Sequence, residues 1–450
     1  MGSKNRIVRR AALAVALTVS GCTYTDDPLP PGTFPPALEP MAQQIQLFLD
    51  QGAVSAVVQV RWPGGEWSQA FGVRDLDSLE PAQPTDRVEV AGVTQAMTAV
   101  AVLRLVDDHL IGLDEPVLDA VPELAGVLRP PGPLTVRQLL SHTSGMPDAA
   151  AALPRDVDFR PALSRTLDLR KQVQAAGTLP WPASDVGLFK YSTTDYVALG
   201  LVVEALRHKP FAQVMLEQVF SPLGLKDSTL DRPDPRAPNV LHGYATLHGE
   251  RIDTTGDASV AGSPASGVVS TVADLNLFMA ALLQGRAVSS SSLKEMKTSP
   301  GFGRFGLGLW RFADQCSPAM RQEGKGSFRD FQTVAVSSDD GRYQAAMTVT
   351  APPLPGEVED PASTGRRDLL NGQIESTLNE ALDRLCQPAH GGQTRRSAAH
   401  QATPEACRDV PRGSTLKHPA TRCGRGKLAW EQRIKYIAGR ADHGQRVAGS

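Results

Sequence analysis

The period of the apolar positions along the chain predicts both helices and strands. Two pairs of strand-like segments flank turn sequences, residues 54–61 with 67–73 and residues 328–336 with 343–350. We therefore expect one α/β domain over residues 41–386, with a strand-rich start, a helical middle and a strand-rich end closed by a helix. Helical spacing recurs in residues 94–108, 134–140, 196–206, 211–220, 271–283 and 367–385.

The first 22 residues have the pattern of a secretion signal. Basic residues precede a short apolar run, residues 11–19, which is too short to remain as a membrane span. The sequence Val-Ser-Gly-Cys that follows resembles a bacterial lipobox, so residues 1–22 are predicted to be a lipoprotein signal peptide and Cys22 the lipidated residue. We expect an exported protein, held by a lipid anchor at the outer face of the bacterial cell membrane. An ordinary signal peptide with an incidental cysteine is the alternative.

The segments that flank the predicted domain differ from it in composition. Residues 23–40 are rich in proline and predict a semi-extended linker. Residues 387–450 carry 12 Lys/Arg against 4 Asp/Glu, about +8, and predict a disordered basic tail. Such a tail could touch anionic envelope polymers or be a solvated extension. The whole chain has a formal charge of −2, which gives no reason to expect a nucleic-acid partner.

Export would also place the cysteines in an oxidising compartment. Cys316 and Cys386 are then expected to form one disulfide, and Cys407 and Cys423 a second one in the tail. The sequence by itself leaves the connectivity open.

Six short segments, taken in their order, resemble the serine β-lactamase and penicillin-binding-protein (D-alanyl-D-alanine peptidase) superfamily, in its class C-like, esterase-like branch. The resemblance implies an antiparallel sheet flanked by helices and joined to a mostly helical subdomain. The segments are Gly92-Val-Thr-Gln95, Leu110-Ile-Gly-Leu-Asp-Glu-Pro-Val117, Leu139-Leu-Ser-His-Thr-Ser-Gly-Met-Pro147, Tyr191-Ser-Thr-Thr-Asp-Tyr196, Ala261-Gly-Ser-Pro-Ala-Ser-Gly267 and Phe305-Gly-Leu-Gly-Leu309.

In active members of this family, a Ser-x-x-Lys motif stands at a helix amino terminus. The serine needs a base to take its proton as it attacks a carbonyl, and the lysine one turn later lies on the same helix face. In this chain Gly92 occupies the serine position and Gln95 the lysine position. Glycine has no side chain and the glutamine amide cannot accept a proton at neutral pH. No serine lies between Ser78 and Ser141, so a small shift of the alignment does not restore the motif.

Two further family elements are incomplete. In the Tyr-x-Asn element Tyr191 is present, but Thr193 replaces the asparagine. In the Lys/His-x-Gly element Gly324 takes the cationic position and Gly326 the glycine position, although a shift by one residue would bring in Lys325. Tyr191 and Lys325 are therefore the candidate ligand-binding residues. A tyrosine that simply packs before a helix, and an exposed strand lysine, are the alternatives.

The leading hypothesis is a catalytically inactive envelope protein that binds a peptidoglycan peptide or an envelope protein, or whose pocket is vestigial. The competing hypothesis is an active β-lactamase, D-Ala-D-Ala carboxypeptidase or esterase with an unrecognised nucleophile. Ser291 with Lys294 has the Ser-x-x-Lys spacing, but it lies in a polar serine run, and His142 and Ser144 belong to a turn that is structural in relatives. We expect neither a cofactor nor a metal site.

Overall fold

The computed structural model describes residues 35–152, 160–166, 168–247, 249–299, 303–328, 330–351 and 361–386. Six strands form one antiparallel sheet in the order β2–β1–β10–β9–β8–β7, and two small ladders pair β3 with β6 and β4 with β5. The strands are β1 Ser55–Trp62, β2 Gly65–Gly72, β3 Val88–Glu89, β4 Tyr244–Leu247, β5 Glu250–Asp253, β6 Val269–Ser270, β7 Trp310–Ala313, β8 Met320–Ser327, β9 Phe331–Ser337 and β10 Gln344–Thr350.

Most of the helices lie between β3 and β7 in the sequence. The α8 helix continues through a π-helical turn, Leu216–Phe220, into α9. The helices are α1 Glu39–Asp50, α2 Val93–Asp107, α3 Val117–Ala120, α4 Val136–Leu140, α5 Arg160–Leu163, α6 Leu169–Ala176, α7 Thr193–Arg207, α8 Phe211–Met215, α9 Ser221–Leu223, α10 Val272–Leu283, α11 Ser290–Met296 and α12 Pro361–Cys386.

Helices cover both faces of the large sheet. On one face, α1 and α12 pack through Phe48 and Leu378 against Val58 and Met347 of the central strands. On the other face lie α2 and α10, and Val57 contributes to a larger core shared with the helical subdomain. Because strand side chains alternate between faces, each central strand supplies both cores.

The helical subdomain is built around α2 and α7. These two helices pack against each other, and α7 also contacts α4, α6 and α8. The Tyr196 ring of α7 is fully buried, and its hydroxyl donates to the carbonyl of Leu140 at 2.8 Å. The predicted α/β fold class, an antiparallel sheet flanked by helices with a mostly helical subdomain, is confirmed.

The predicted boundary between linker and domain is too late. A 3₁₀ turn, Pro36–Leu38, leads into α1 at Glu39, and the Leu38 side chain is fully buried against the sheet. Pro36 and Pro40 suggested a linker, but proline is tolerated in the first turn of a helix, where the missing N–H has no intrahelical acceptor. The domain therefore starts with a helix, and the predicted strand-rich start omits α1.

Cys22, the linker up to residue 34 and the predicted tail, residues 387–450, lie outside the described residues. Across the described part of the chain, every helix is too short or too polar to cross a bilayer.

Candidate functional site

The amino terminus of α2 lies directly against the backbone of β8. Gly92 is the N-cap of α2, and a Cβ atom built on it would lie 2.7 Å from the carbonyl oxygen of Lys325 and 3.3 Å from the Cα of Gly326. A Cβ on Gly326 would in turn collide with the Gly92 nitrogen. Glycine is therefore required at both positions for this approach, and a serine at Gly92 needs a displacement of β8.

Gln95, one turn further along α2, contacts both Tyr191 and His142 through its side-chain amide. The side chain is 3% exposed. Its nitrogen donates to the Tyr191 hydroxyl at 2.7 Å, and its oxygen lies 3.2 Å from Nε2 of His142. An amide can hold both neighbours in place, but it has no titratable proton to pass between them.

Tyr191 points its hydroxyl into the protein although 45% of the residue is exposed. Burial raises the pKa of Tyr191 to about 12, the Gln95 hydrogen bond acts in the opposite direction, and the negative charges of Asp148 and Asp195 raise it further. At neutral pH the side chain is a phenol, so it can donate a hydrogen bond but cannot act as a base.

His142, Asp195 and Ser144 form a buried polar group whose connectivity differs from that of a catalytic triad. Nδ1 of His142 lies 3.0 Å from Asp195, and the Ser144 hydroxyl donates to the other oxygen of Asp195 at 2.5 Å. The serine therefore contacts the acid and not the imidazole, so the serine–histidine contact of a catalytic triad is missing. All three side chains are fully buried. They fix the turn of residues 141–145, in which His142 has φ 55° and Gly145 has φ 70°.

Two opposing effects act on the pKa of the Asp195 carboxyl. Burial raises the pKa of Asp195 to about 6, while the contacts with His142 and Ser144 lower it. His142 and Asp195 were not predicted as site residues. Each lies in one of the segments that carry the family resemblance, His142 in residues 139–147 and Asp195 in residues 191–196, but neither segment shows that the two residues meet beside Gln95.

Thr193 forms hydrogen bonds with Asp148. Its backbone nitrogen and its hydroxyl both donate to the carboxylate of Asp148, at 2.8 Å and 2.9 Å. The contact holds the first turn of α7 to the loop that follows α4. Thr193 therefore does not offer the two-ended amide that an asparagine would bring to this position.

Lys325 lies on the face of β8 that looks away from α2. Its ammonium is 3.0 Å from Glu375 of α12 and 4.4 Å from the centre of the Trp310 ring. Gly324 and Gly326, its neighbours in β8, face α2 instead, and Gly324 packs on Val93. Because side chains alternate along a strand, Lys325 points away from α2 and lies beside Trp310 and Glu375, and its ligand-binding role stays a prediction.

An exposed apolar edge lies beside the region around Gly92, Gln95 and Tyr191, which we name the cleft. Leu188, Phe189 and Tyr191 are 61%, 44% and 45% exposed. The Phe189 ring packs on Phe305 and Trp310, with ring centres 5.7 Å and 5.9 Å apart. We name Leu188, Phe189, Tyr191 and Trp310 the aromatic edge. Three neighbouring, partly exposed apolar side chains on a supporting aromatic layer are typical of a binding surface.

Cys316 and Cys386 are joined by a disulfide, with Cα atoms 5.9 Å apart. The bond attaches the end of α12 to the loop between β7 and β8. Asp314, Cys316 and Asp383 are close enough to share an ion. The sulfur is already bonded, however, and the Arg321 guanidinium lies 2.9 Å from Asp314 and 2.7 Å from Asp383, so this cluster is an ion-pair site.

Comparisons with known proteins agree with the fold. The family model described as Beta-lactamase matches residues 39–363. Among curated proteins, Protein flp of Staphylococcus aureus (strain MW2) is 22% identical over 46% of this chain and 41% of its own length. Penicillin-binding protein 4* of Bacillus subtilis (strain 168) is 25% identical over 53% of this chain and 54% of its own length. The matched part is thus about half the length of these relatives.

Solved structures give the same result. A D-stereospecific amidohydrolase from Streptomyces sp. superposes with a TM-score of 0.61 at 26% identity, covering 70% of this chain and 94% of that one. The match of the family model, residues 39–363, spans the large sheet and the helical subdomain together. The chain therefore belongs to the β-lactamase family of serine β-lactamases and penicillin-binding proteins.

Proposed function

We propose that this chain is an exported, lipid-anchored protein whose β-lactamase-related domain binds a cell-envelope ligand without hydrolysing it. The observation that carries the proposal is the contact between Gly92 and β8. A Cβ on Gly92 would lie 2.7 Å from the Lys325 carbonyl, so both the nucleophile and the room for it are missing.

The chemistry of the surrounding groups supports the same proposal. Removing the nucleophile of a serine enzyme lowers kcat by about 10⁶, and no described side chain here replaces it at the end of α2. Gln95 cannot act as a base, and Tyr191 stays protonated at neutral pH because burial raises its pKa to about 12. Ser291 does not serve either. It lies in α11, which contacts Asp107 at the other end of α2, about 20 Å along the helix from Gly92.

The aromatic edge supports a binding role. Its exposed apolar side chains can cover the apolar part of a peptide, and the Tyr191 hydroxyl can donate to a peptide carbonyl. The names of the similar proteins refer to penicillin binding and to D-stereospecific amide hydrolysis. A peptide with D-residues, as in peptidoglycan, is therefore the ligand class we propose, with an envelope protein as the other candidate. The amino-terminal pattern, with Cys22 at its end, supports attachment to the outer face of the membrane.

Labelling with covalent probes tests the absence of catalysis. The full-length protein is incubated with a fluorescent penicillin and with a fluorophosphonate, beside a penicillin-binding protein as positive control. We expect no covalent label on this chain. A labelled residue would overturn the proposal and would identify the unrecognised nucleophile.

Binding is tested separately by isothermal titration with a peptide that ends in D-Ala-D-Ala and with its L-Ala-L-Ala counterpart. We expect saturable binding of the D-peptide, weakened about tenfold by Tyr191→Ala. Leu216→Ala, a change at an exposed apolar residue of the π-helical turn, is the matched control. Equal affinity for both peptides, or equal effects of both variants, would contradict a specific cleft.

A further inference from the structure

A second concave surface lies at the tip of the β1–β2 hairpin, and none of its lining residues belongs to the cleft. It has a volume of about 550 Å³ and is bordered by the hairpin, the end of α10 and the turn between β9 and β10. We name it the basic groove, and its polar and aromatic lining includes Arg61, Trp62, Gln284, Arg286, Arg342 and Gln344.

The groove carries more positive than negative charge. Arg61 is 3.4 Å from Glu66, and Arg342 is 2.6 Å from Asp340. Arg286 instead contacts the neutral Gln284 oxygen at 3.2 Å, and within the described residues it has no carboxylate partner. One guanidinium charge is therefore left uncompensated at the groove.

Gln344 adds an unused hydrogen-bond donor to the floor of this groove. The residue is the first of β10, lies opposite Arg61 of β1 and is only 3% exposed. Its amide nitrogen is buried and has no hydrogen-bond partner among the described residues. Leaving a buried donor without an acceptor is unfavourable. An acceptor oxygen brought by a ligand would remove that cost.

We propose that the basic groove binds a phosphate group. A phosphate offers several acceptor oxygens to the planar forks of Arg61, Arg286 and Arg342 and to the amide of Gln344. The volume suits a small phosphate ester, and the Trp62 ring offers an apolar surface for its organic part. The positive charge of the groove contrasts with the rest of the chain before residue 387, which has a net charge of about −10.

The test measures binding by the full-length protein at constant ionic strength, through tryptophan fluorescence and isothermal titration. Inorganic phosphate and glycerol 3-phosphate are the soluble probes, with chloride as the control anion. Sedimentation with phosphatidylglycerol vesicles, against phosphatidylcholine vesicles, asks whether the phosphate belongs to a lipid headgroup. We expect saturable binding by wild type, and Arg286→Gln should raise Kd about tenfold.

Two further variants separate a binding role from a structural one. Gln344→Leu should weaken phosphate binding several-fold while leaving the unliganded protein as stable as wild type or more so, because an unpaired buried donor is removed. Arg236→Gln is the matched control, since Arg236 is exposed and pairs with Asp234 away from the groove, and it should leave Kd unchanged.

Binding of the soluble probes, or of phosphatidylglycerol vesicles alone, supports the proposal and identifies the source of the phosphate, provided that Arg286→Gln weakens that binding about tenfold. The proposal is overturned if neither form of phosphate binds more tightly than chloride. It is also overturned if Arg286→Gln and Arg236→Gln reduce binding equally.

Discussion

The amide of Gln95 and the hydroxyl of Tyr191 are joined by a hydrogen bond of 2.7 Å beside the amino terminus of α2. The bond keeps these two side chains in a fixed arrangement. It does so with an amide, which holds geometry without changing protonation. An amide at this position can therefore contribute to binding but not to proton transfer.

A side chain at position 92 should destabilise the protein. Gly92→Ser pushes its Cβ against the Lys325 carbonyl, and we expect a loss of about 1–3 kcal/mol in the free energy of unfolding by urea. Gly372→Ala is the matched control, because a Cβ there meets open space within α12. That change should add about 0.5–1 kcal/mol. Wild-type stability for Gly92→Ser would show that β8 yields easily.

Introducing both the serine and the lysine of the family motif should not produce hydrolytic activity. The double variant Gly92→Ser with Gln95→Lys supplies both missing groups, but the Cβ of residue 92 would still lie 2.7 Å from the Lys325 carbonyl oxygen, so the serine would not be correctly positioned. We expect no label from a fluorescent penicillin on this variant. Robust labelling would mean that two side chains alone separate this protein from its active relatives.

The Asp195 carboxyl should make the protein less stable as the pH rises from 4 to 7. Its pKa is raised from 3.8 to about 6 on folding, so between these values the folded state binds more protons than the unfolded state. The contribution is complete below pH 4 and is lost as the pH passes 6, a total of about 3 kcal/mol. Urea unfolding at several pH values measures it.

The comparison variant for this titration is Asp195→Asn, which should lose that part of the pH dependence. Asp50→Asn, an exposed change at the end of α1, should keep the wild-type profile. Identical profiles for wild type and Asp195→Asn would show that this carboxyl does not titrate in the window.

Replacing Arg321 should lower the free energy of unfolding by a large amount. Its buried guanidinium pairs with Asp314 and Asp383 and donates to the Asn379 carbonyl at 2.9 Å. Arg321→Met leaves those acids unpaired and should cost about 3–5 kcal/mol. Arg384→Met removes an exposed pair with Glu380 on the same helix and should cost at most about 0.5 kcal/mol. Equal losses of stability for Arg321→Met and Arg384→Met would show that the buried ion pairs of Arg321 contribute no more than an exposed pair.

The disulfide should contribute strongly to stability. Its cysteines are 70 residues apart, and the chain-entropy relation for such a loop gives about 4 kcal/mol. The double variant Cys316→Ala with Cys386→Ala should unfold at lower urea concentration by a corresponding amount. Reduced wild-type protein is the internal control and should match the double variant. A reductant effect on the double variant itself would point to other cysteines.

The family and the defect of its motif were predictable because both depend on local sequence. Gly92, Gln95 and Tyr191 could be identified from short segments, and the structure brings them together at the end of α2. The position of Lys325 was not predictable in this way. A shift of one residue turns a strand side chain to the other face, and only the pairing of β8 with β9 settles it.

Buried polar contacts were also beyond the sequence. His142 and Asp195 are 53 residues apart, and no periodicity connects a turn with the first turn of a later helix. The start of the domain was missed for a different reason, since prolines near Leu38 have the same composition in a linker and in the first turn of a helix.

The pairing of β1 with β10 has a consequence for how the molecule is made. Ser55 and Thr350 are hydrogen-bonded to each other although 295 residues separate them. During synthesis from the amino terminus, β1 can pair with β2 early, but its other edge stays unpaired until β10 has been made. The last strand to be synthesised is therefore the one that completes the centre of the fold, so the domain should acquire its native state late and all at once.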